Sequence, residues 1–164
     1  MAPGPSSVIS KAVIEDFAPK FLLQPAVIFL SESRDKVVAR DDELAKSIGL
    51  RIPAQTLLPD ILLVDLGVDP PLLVFVEVVA SDGPITDARK QSLSDLVATA
   101  GFDPRHVAFV TAFRDKGDPA FRKAASDIAW QTFTWFAAEP DAILSFQRLS
   151  TFPVALATLL RSHS

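Results

Sequence analysis

The stretch LPDILLVDLGVDPPLLVFVEVVASDGPITDARK, residues 58–90, decides the fold. Two apolar runs, ILLVDL (61–66) and LLVFVEVVA (72–80), flank the five-residue connection GVDPP. That length suits a β-hairpin, and Pro70-Pro71 cannot extend either ladder. SDGP is a turn, and Thr86 is placed to cap a helix running through about Thr99. Leu93, Leu96 and Val97 form the buried side of that helix, and Gly101 terminates it. The anomaly is Glu77, a carboxylate in the middle of the second apolar strand. A buried ionised carboxylate needs a cation, a metal or a shifted pKa.

Working outward, Ser7 to Ala18 has Ile9, Val13, Ile14 and Phe17 at helical spacing, with Pro19 where the helix should stop. PAVIFL (25–30) reads as a strand and SESRDK as a polar loop. Asp41 caps a short helix through Ser47, which Gly49 ends. HVAFVTAF (106–113) is a continuous apolar strand of the kind covered on both faces. Beyond it the pattern is mostly helical, with Phe121, Ala125, Ile128 and Ala129 on one face, and WQTFTWFA is a strand or a helix continuation. The strand–helix–strand passage from 72–80 to 106–113 predicts a parallel, right-handed crossover. The expected fold is α/β: a mixed sheet of about four or five strands with helices on both faces. Residues 1–6 read as a flexible tail and 7–164 as one domain.

Composition narrows the function classes. The 49% hydrophobic content and positive mean hydropathy argue against extended disorder. With no cysteine there is neither a disulfide framework nor a thiolate metal site. No secretory signal is recognised in MAPGPSSVIS, and no apolar run is long enough to span a bilayer, so a cytoplasmic protein without membrane partners is expected. The net charge of −4 gives no global attraction to nucleic acid. Five basic residues (Arg105, Arg114, Lys116, Arg122, Lys123) nevertheless lie between 105 and 123 against two acids, and Arg89-Lys90 form another basic pair. They read either as a local basic surface or as a solvated face.

Asp60 lies at the mouth of the first hairpin strand. Antiparallel pairing about residues 67–71 brings it opposite a position near 78, close to Glu77. Two acids within a few ångströms repel unless a cation lies between them, and a hard divalent ion with oxygen ligands, such as Mg²⁺, suits the pair. Such a site can polarise a phosphodiester and lower the pKa of bound water. The alternative is structural: Asp60 starts a strand and Glu77 pairs with a Lys or Arg. Asp65 is a competing acid that reads as a solvated edge near the turn.

PD followed by an apolar strand, an acid in a second apolar strand and then a helix resembles the PD-(D/E)XK nuclease pattern. AVIEDFAPKF (12–21), LPDILLVD (58–65), FVEVVASDGPITDAR (75–89), AFVTAFRD (108–115) and FRKAASDIAWQTFTWFAAEPDAIL (121–144) resemble, in order, the catalytic domain of BsuBI/PstI type II restriction endonucleases. The resemblance implies a Mg²⁺-dependent, site-specific endodeoxyribonuclease acting on double-stranded DNA as a homodimer, with a cognate DNA methyltransferase in a restriction-modification system. By the same resemblance, Asp60 and Glu77 are metal ligands. Glu15 is an auxiliary acid near the metal, or else pairs Lys11 one turn earlier. The motif's lysine is replaced by Val78-Val79; Arg89 is the first candidate to supply that charge, with Lys90 and Lys36 as alternatives. DNA contacts are expected at Ser81, Asp82, Lys90, Arg114, Lys116, Arg122 and Lys123.

The chain also departs from the pattern. PDAILSF (140–146) has Ala142 and Ser145 where the family has histidines, and the N-terminal helical, DNA-binding-type domain of these enzymes is not expected among these residues, which read as an excised domain or a naturally short homologue. These departures favour a second reading, a catalytically inactive DNA-binding or dimerisation module. Trp130, Phe133, Trp135 and Phe136 could stack on bases but are expected in the core, and neither His106 nor His163 is at ligand spacing.

Overall fold

In the computed structural model, which describes residues 4–32, 36–52, 58–80 and 83–161, the hairpin is the centre of the sheet. Strands β3 (Ile61–Asp65) and β4 (Leu72–Val78) pair antiparallel, Ile61 opposite Val76 and Asp65 opposite Leu72. Alternation along them sorts side chains onto two buried faces. Leu62, Val64, Leu73 and Phe75 face one core, while Ile61, Leu63, Val74, Val76 and Val78 face the other.

Around this hairpin stand β1 (Pro25–Glu32), β2 (Lys36–Arg40), β5 (Val107–Phe113), β6 (Thr132–Phe136) and β7 (Ile143–Phe146), in the order β2-β1-β3-β4-β5-β6-β7. Pairing is parallel for β4–β5 and β5–β6 and antiparallel elsewhere. The expected mixed α/β sheet is present, with seven strands rather than four or five. The additional strands are short and lie at or near the edges. All five β2 residues are exposed, so its pattern carries no buried stripe; pairing with β1 defines it.

Helices cover both faces. α1 (Pro5–Ala12), a π turn (Val13–Phe17) and α2 (Ala18–Phe21) run on continuously and bury Ile9, Val13, Phe17 and Ala18. Pro19 does not stop this run. The Ala18 N–H reaches back five residues to the Val13 carbonyl, and this change of register just ahead of Pro19 lets the helical path continue. The other face carries α3 (Asp42–Ser47), α4 (Asp87–Thr99) and α5 (Pro119–Ala124). Thr86 caps α4 by accepting the Arg89 N–H at 3.1 Å, and Gly101 ends it at φ +84°. A last helix, α6 (Leu156–Arg161), follows β7. Among the described residues no helix is long and apolar enough to cross a membrane. Trp135 and Phe136 are buried as expected, but Trp130 is 47% exposed, with the Arg148 guanidinium 5.6 Å from its ring.

Asp65 is not a solvated edge. It is 3% exposed and accepts three backbone N–H bonds, from Leu23, Gln24 and Gly67, each at 2.9 Å. Burial pushes its carboxyl pKa up, but these donors outweigh that effect and hold it below the ordinary range. The carboxylate thereby ties the α2–β1 link to the end of β3. Residue 67 must be glycine there, because a Cβ would come within 2.6 Å of the Leu23 Cβ. Replacing Asp65 with Ala leaves three amides without their acceptor. Denaturant unfolding of Asp65→Ala should show a loss of about 2–4 kcal/mol; wild-type stability would show that water replaces the carboxylate.

Candidate active site

Extending the β3–β4 register by one residue from Ile61–Val76 sets Asp60 opposite Glu77. Both fall on the α4 face of the sheet, at the C-terminal end of β4. The Asp60 Oδ2 accepts the Val78 N–H at 2.8 Å, and its backbone carbonyl accepts the Ser31 N–H at 2.8 Å, so Asp60 is held between β1 and β4. The Glu77 side chain is 13% exposed. Arg89, from the first turn of α4, donates Nε–H to Glu77 Oε1 at 2.7 Å and Nη2–H to the Leu58 carbonyl at 3.2 Å. One guanidinium thus ties the second acid to the backbone just ahead of the first.

Glu77 does not titrate as an ordinary carboxyl. Burial and the Asp60 charge push it up to about 7, the hydrogen bond that protonated Glu77 donates to Asp60 adds to this, and Arg89 only partly offsets the rise. Glu77 therefore holds a proton between the two carboxyls through the weakly acidic range. Such a pair is chemically suited to a hard dication, which the two carboxylates would hold in place of that proton. Asp60 and Glu77 fit that role.

The full length of this geometry lies inside a recognised family. The chain matches the family model described as the BsuBI/PstI restriction endonuclease domain over residues 1–148. It belongs to this family. It is also 29% identical over 148 residues to the type II restriction enzyme BsuBI of Bacillus subtilis, covering 89% of this chain and 44% of that protein. The structure is similar to that of the SdaI restriction endonuclease, with a TM-score of 0.76 and 24% identity over 92% of this chain and 46% of that one, a likeness of fold. The chain spans less than half the length of these relatives.

For this BsuBI/PstI family member, the absent motif lysine has a structural account. Val79 is on the same face as Glu77 but is packed among Phe113, Ala124, Ile128 and Phe136, where an ammonium group would be unpaired. The charge beside Glu77 comes instead from Arg89. The alternatives fit less well: Lys90 donates to the Trp130 carbonyl at 3.1 Å, and Lys36 begins the exposed edge strand β2.

Glu15 does not join the pair. It is exposed on the π turn, which packs on the opposite face of the sheet, and lines a cavity of about 330 Å³ with Ser10, Lys11 and Glu32. Among the described residues no group of three or more His, Asp or Glu side chains is close enough to hold a metal.

The basic residues divide. Arg114, Lys116, Arg122 and Lys123 are exposed beyond the C-terminal end of β5, the same end of the sheet as Glu77 because β4 and β5 are parallel. Arg114 pairs with Asp118 at 2.8 Å. Arg105, counted with them in the sequence, precedes β5 at the opposite end and pairs with Asp103 at 2.9 Å. Ser81, Asp82 and His163 lie outside the described residues. His106 ends a 3₁₀ turn at that opposite end, 3.9 Å from Asp103. The PDAILSF segment forms β7, three strands from β4, and Asp141 pairs there with Lys20 at 2.7 Å.

Two contributions escaped sequence reasoning: the Leu58 carbonyl as an anchor for Arg89, and the Val78 amide as a donor to Asp60. Backbone partners leave no side-chain signal.

The shared proton sets a pH dependence. Between the ordinary glutamate range and about 7, the folded chain binds more protons at Glu77 than the unfolded chain does, so stability falls as pH rises. In EDTA the melting temperature should therefore drop from about pH 5 to about pH 8, and Glu77→Gln should flatten that slope. Equal slopes in the two proteins would mean that Glu77 ionises normally.

Proposed function

We propose that the chain is the catalytic domain of a Mg²⁺-dependent type II endodeoxyribonuclease that hydrolyses phosphodiester bonds of double-stranded DNA. The observation that carries this reading is Asp60 opposite Glu77 with Arg89 between the two strands and α4, inside a domain of the BsuBI/PstI family. Asp60 and Glu77 would hold the ion, which when bound supplies Lewis acidity toward the scissile phosphate. Arg89 sets a positive charge at Glu77, fixes its rotamer and places a cation near the negative charge that develops on the phosphoryl oxygens. The exposed Arg114, Lys116, Arg122 and Lys123, on the same end of the sheet, are suited to phosphate contacts. A two-fold dimer on a palindromic site, a cognate DNA methyltransferase and a cytoplasmic location complete the proposal.

A second reading, an inactive DNA-binding or dimerisation module, is favoured by one observation: Glu15 stands on the face away from Asp60 and Glu77, leaving two acids instead of three.

Metal and activity separate these readings. Mg²⁺ or Mn²⁺ should raise the melting temperature of the wild type and not of Asp60→Asn. On mixed plasmid and phage DNA, metal-dependent cleavage should vanish in Asp60→Ala and Glu77→Ala while both keep their fold. Cleavage by both variants would overturn the assignment of the site, and indifference to metal would favour the inactive module. Lys116→Ala and Lys123→Ala should weaken DNA binding uniformly across sequences, each lowering the slope of log affinity against log salt by about one; an unchanged slope would place the DNA elsewhere.

A further inference from the structure

In register across the sheet, Glu77 on β4 is followed by Thr111 on β5 and Thr134 on β6. Both threonines are wholly buried, where valine would have the same shape. They are not equivalent. Among the described residues the Thr134 hydroxyl has no hydrogen-bond partner, whereas Thr111 Oγ1 accepts the Ile85 N–H at 3.2 Å.

Ile85 immediately precedes the cap of α4. Its side chain is fully buried and its carbonyl accepts the Ala129 N–H at 2.9 Å, so with Thr111 it is held at the amide, the carbonyl and the side chain. The next residue, Thr86, caps α4 through the Arg89 N–H, and Arg89 then reaches back to Glu77. Thr111, Ile85, Thr86, Arg89 and Glu77 therefore form a closed ring in which Thr111 and Glu77 are neighbours on adjacent strands. Through this ring the sheet is tied to the start of α4.

We infer that Thr111 is a positioning residue: its hydroxyl fixes the start of α4 and thereby holds the Arg89 guanidinium on Glu77. Its effect on catalysis rests on the nuclease reading above; its effect on Arg89 does not. A first-turn side chain is sensitive to the start of its helix, because rotating the first turn swings the guanidinium off the carboxylate. A misplacement of this kind costs on the order of 10–100-fold in turnover when the displaced group acts at the reacting centre.

The test compares Thr111→Val, Thr111→Ser and Thr134→Val in the full chain. Two ¹⁵N NMR signals are read: the Arg89 Nε–H resonance, and the exchange protection of the Ile85 amide. In the wild type the Ile85 amide should be protected like those of β4; free exchange there would overturn the inference with no variant needed. Thr111→Val should lose the Arg89 resonance, Thr111→Ser should keep it, and Thr134→Val, which removes a hydroxyl that bonds to nothing, should leave it unchanged. An Arg89 resonance that persists in folded Thr111→Val overturns the inference, as does its loss in Thr134→Val. In single-turnover cleavage with Mg²⁺, Thr111→Val should lower the rate about 10–100-fold with little change in DNA affinity, and Thr111→Ser should restore it. If the wild type cuts no DNA with any metal, the nuclease reading fails while the two NMR signals still decide the role of Thr111.

Discussion

Two carboxyl groups on adjacent strands, Asp60 and Glu77, repel each other in a largely dry setting, and the surrounding structure is organised to hold them there. The energetic conflict is visible in Glu77, which keeps its proton to about pH 7 despite an arginine at 2.7 Å. A pair under this strain is stable as a proton-sharing unit or around a cation, and unstable as two bare charges. The backbone therefore has to supply the restraint: the Val78 amide holds Asp60, and the Leu58 carbonyl holds the far side of Arg89.

The topology makes this arrangement local. Antiparallel β3–β4 pairing puts the two acids face to face, and the parallel step to β5 returns the chain over the same face, so that α4 begins beside Glu77. The same parallel step places the start of α5 and its basic residues at that end of the sheet. Helix cap, acid pair and basic surface thus share one end, while Arg105 and His106 are separated from them by the length of β5. The carboxyl ends of parallel strands are where open α/β sheets generally place their sites.

The motif position normally occupied by lysine illustrates how a charge can move between elements. A side chain at 79 points to the Glu77 face, but aromatic packing from β5, β6 and α5 has made that direction apolar. The helix supplies the cation instead. Arginine suits the new position because its planar fork serves a carboxylate and a carbonyl together, which an ammonium group on the same stem cannot do with the same geometry.

The order of elements from residue 58 to 113 was legible in the sequence: the hairpin from its Pro-Pro turn, α4 from Thr86 and Gly101, and β5 from its unbroken apolar run. So was the acid pair, because hairpin register is a local property and needs no distant partner. Pattern reading failed at β2 and β7, which lack a buried stripe and form by pairing with a neighbour, and at Pro19, where a change in helical hydrogen-bond register absorbs the missing donor. It also failed for Asp65, whose polarity suggested solvent, since two of its three backbone donors, the Leu23 and Gln24 amides, come from another segment and are invisible in a residue string. Local spacing thus determined the strands, the caps and the opposition of Asp60 to Glu77. The tertiary structure alone decided that Arg89 meets Glu77, that Glu15 stands on the other face, and that Thr111 rather than Thr134 bonds to the turn before α4, because each depends on which elements pack together across the sheet.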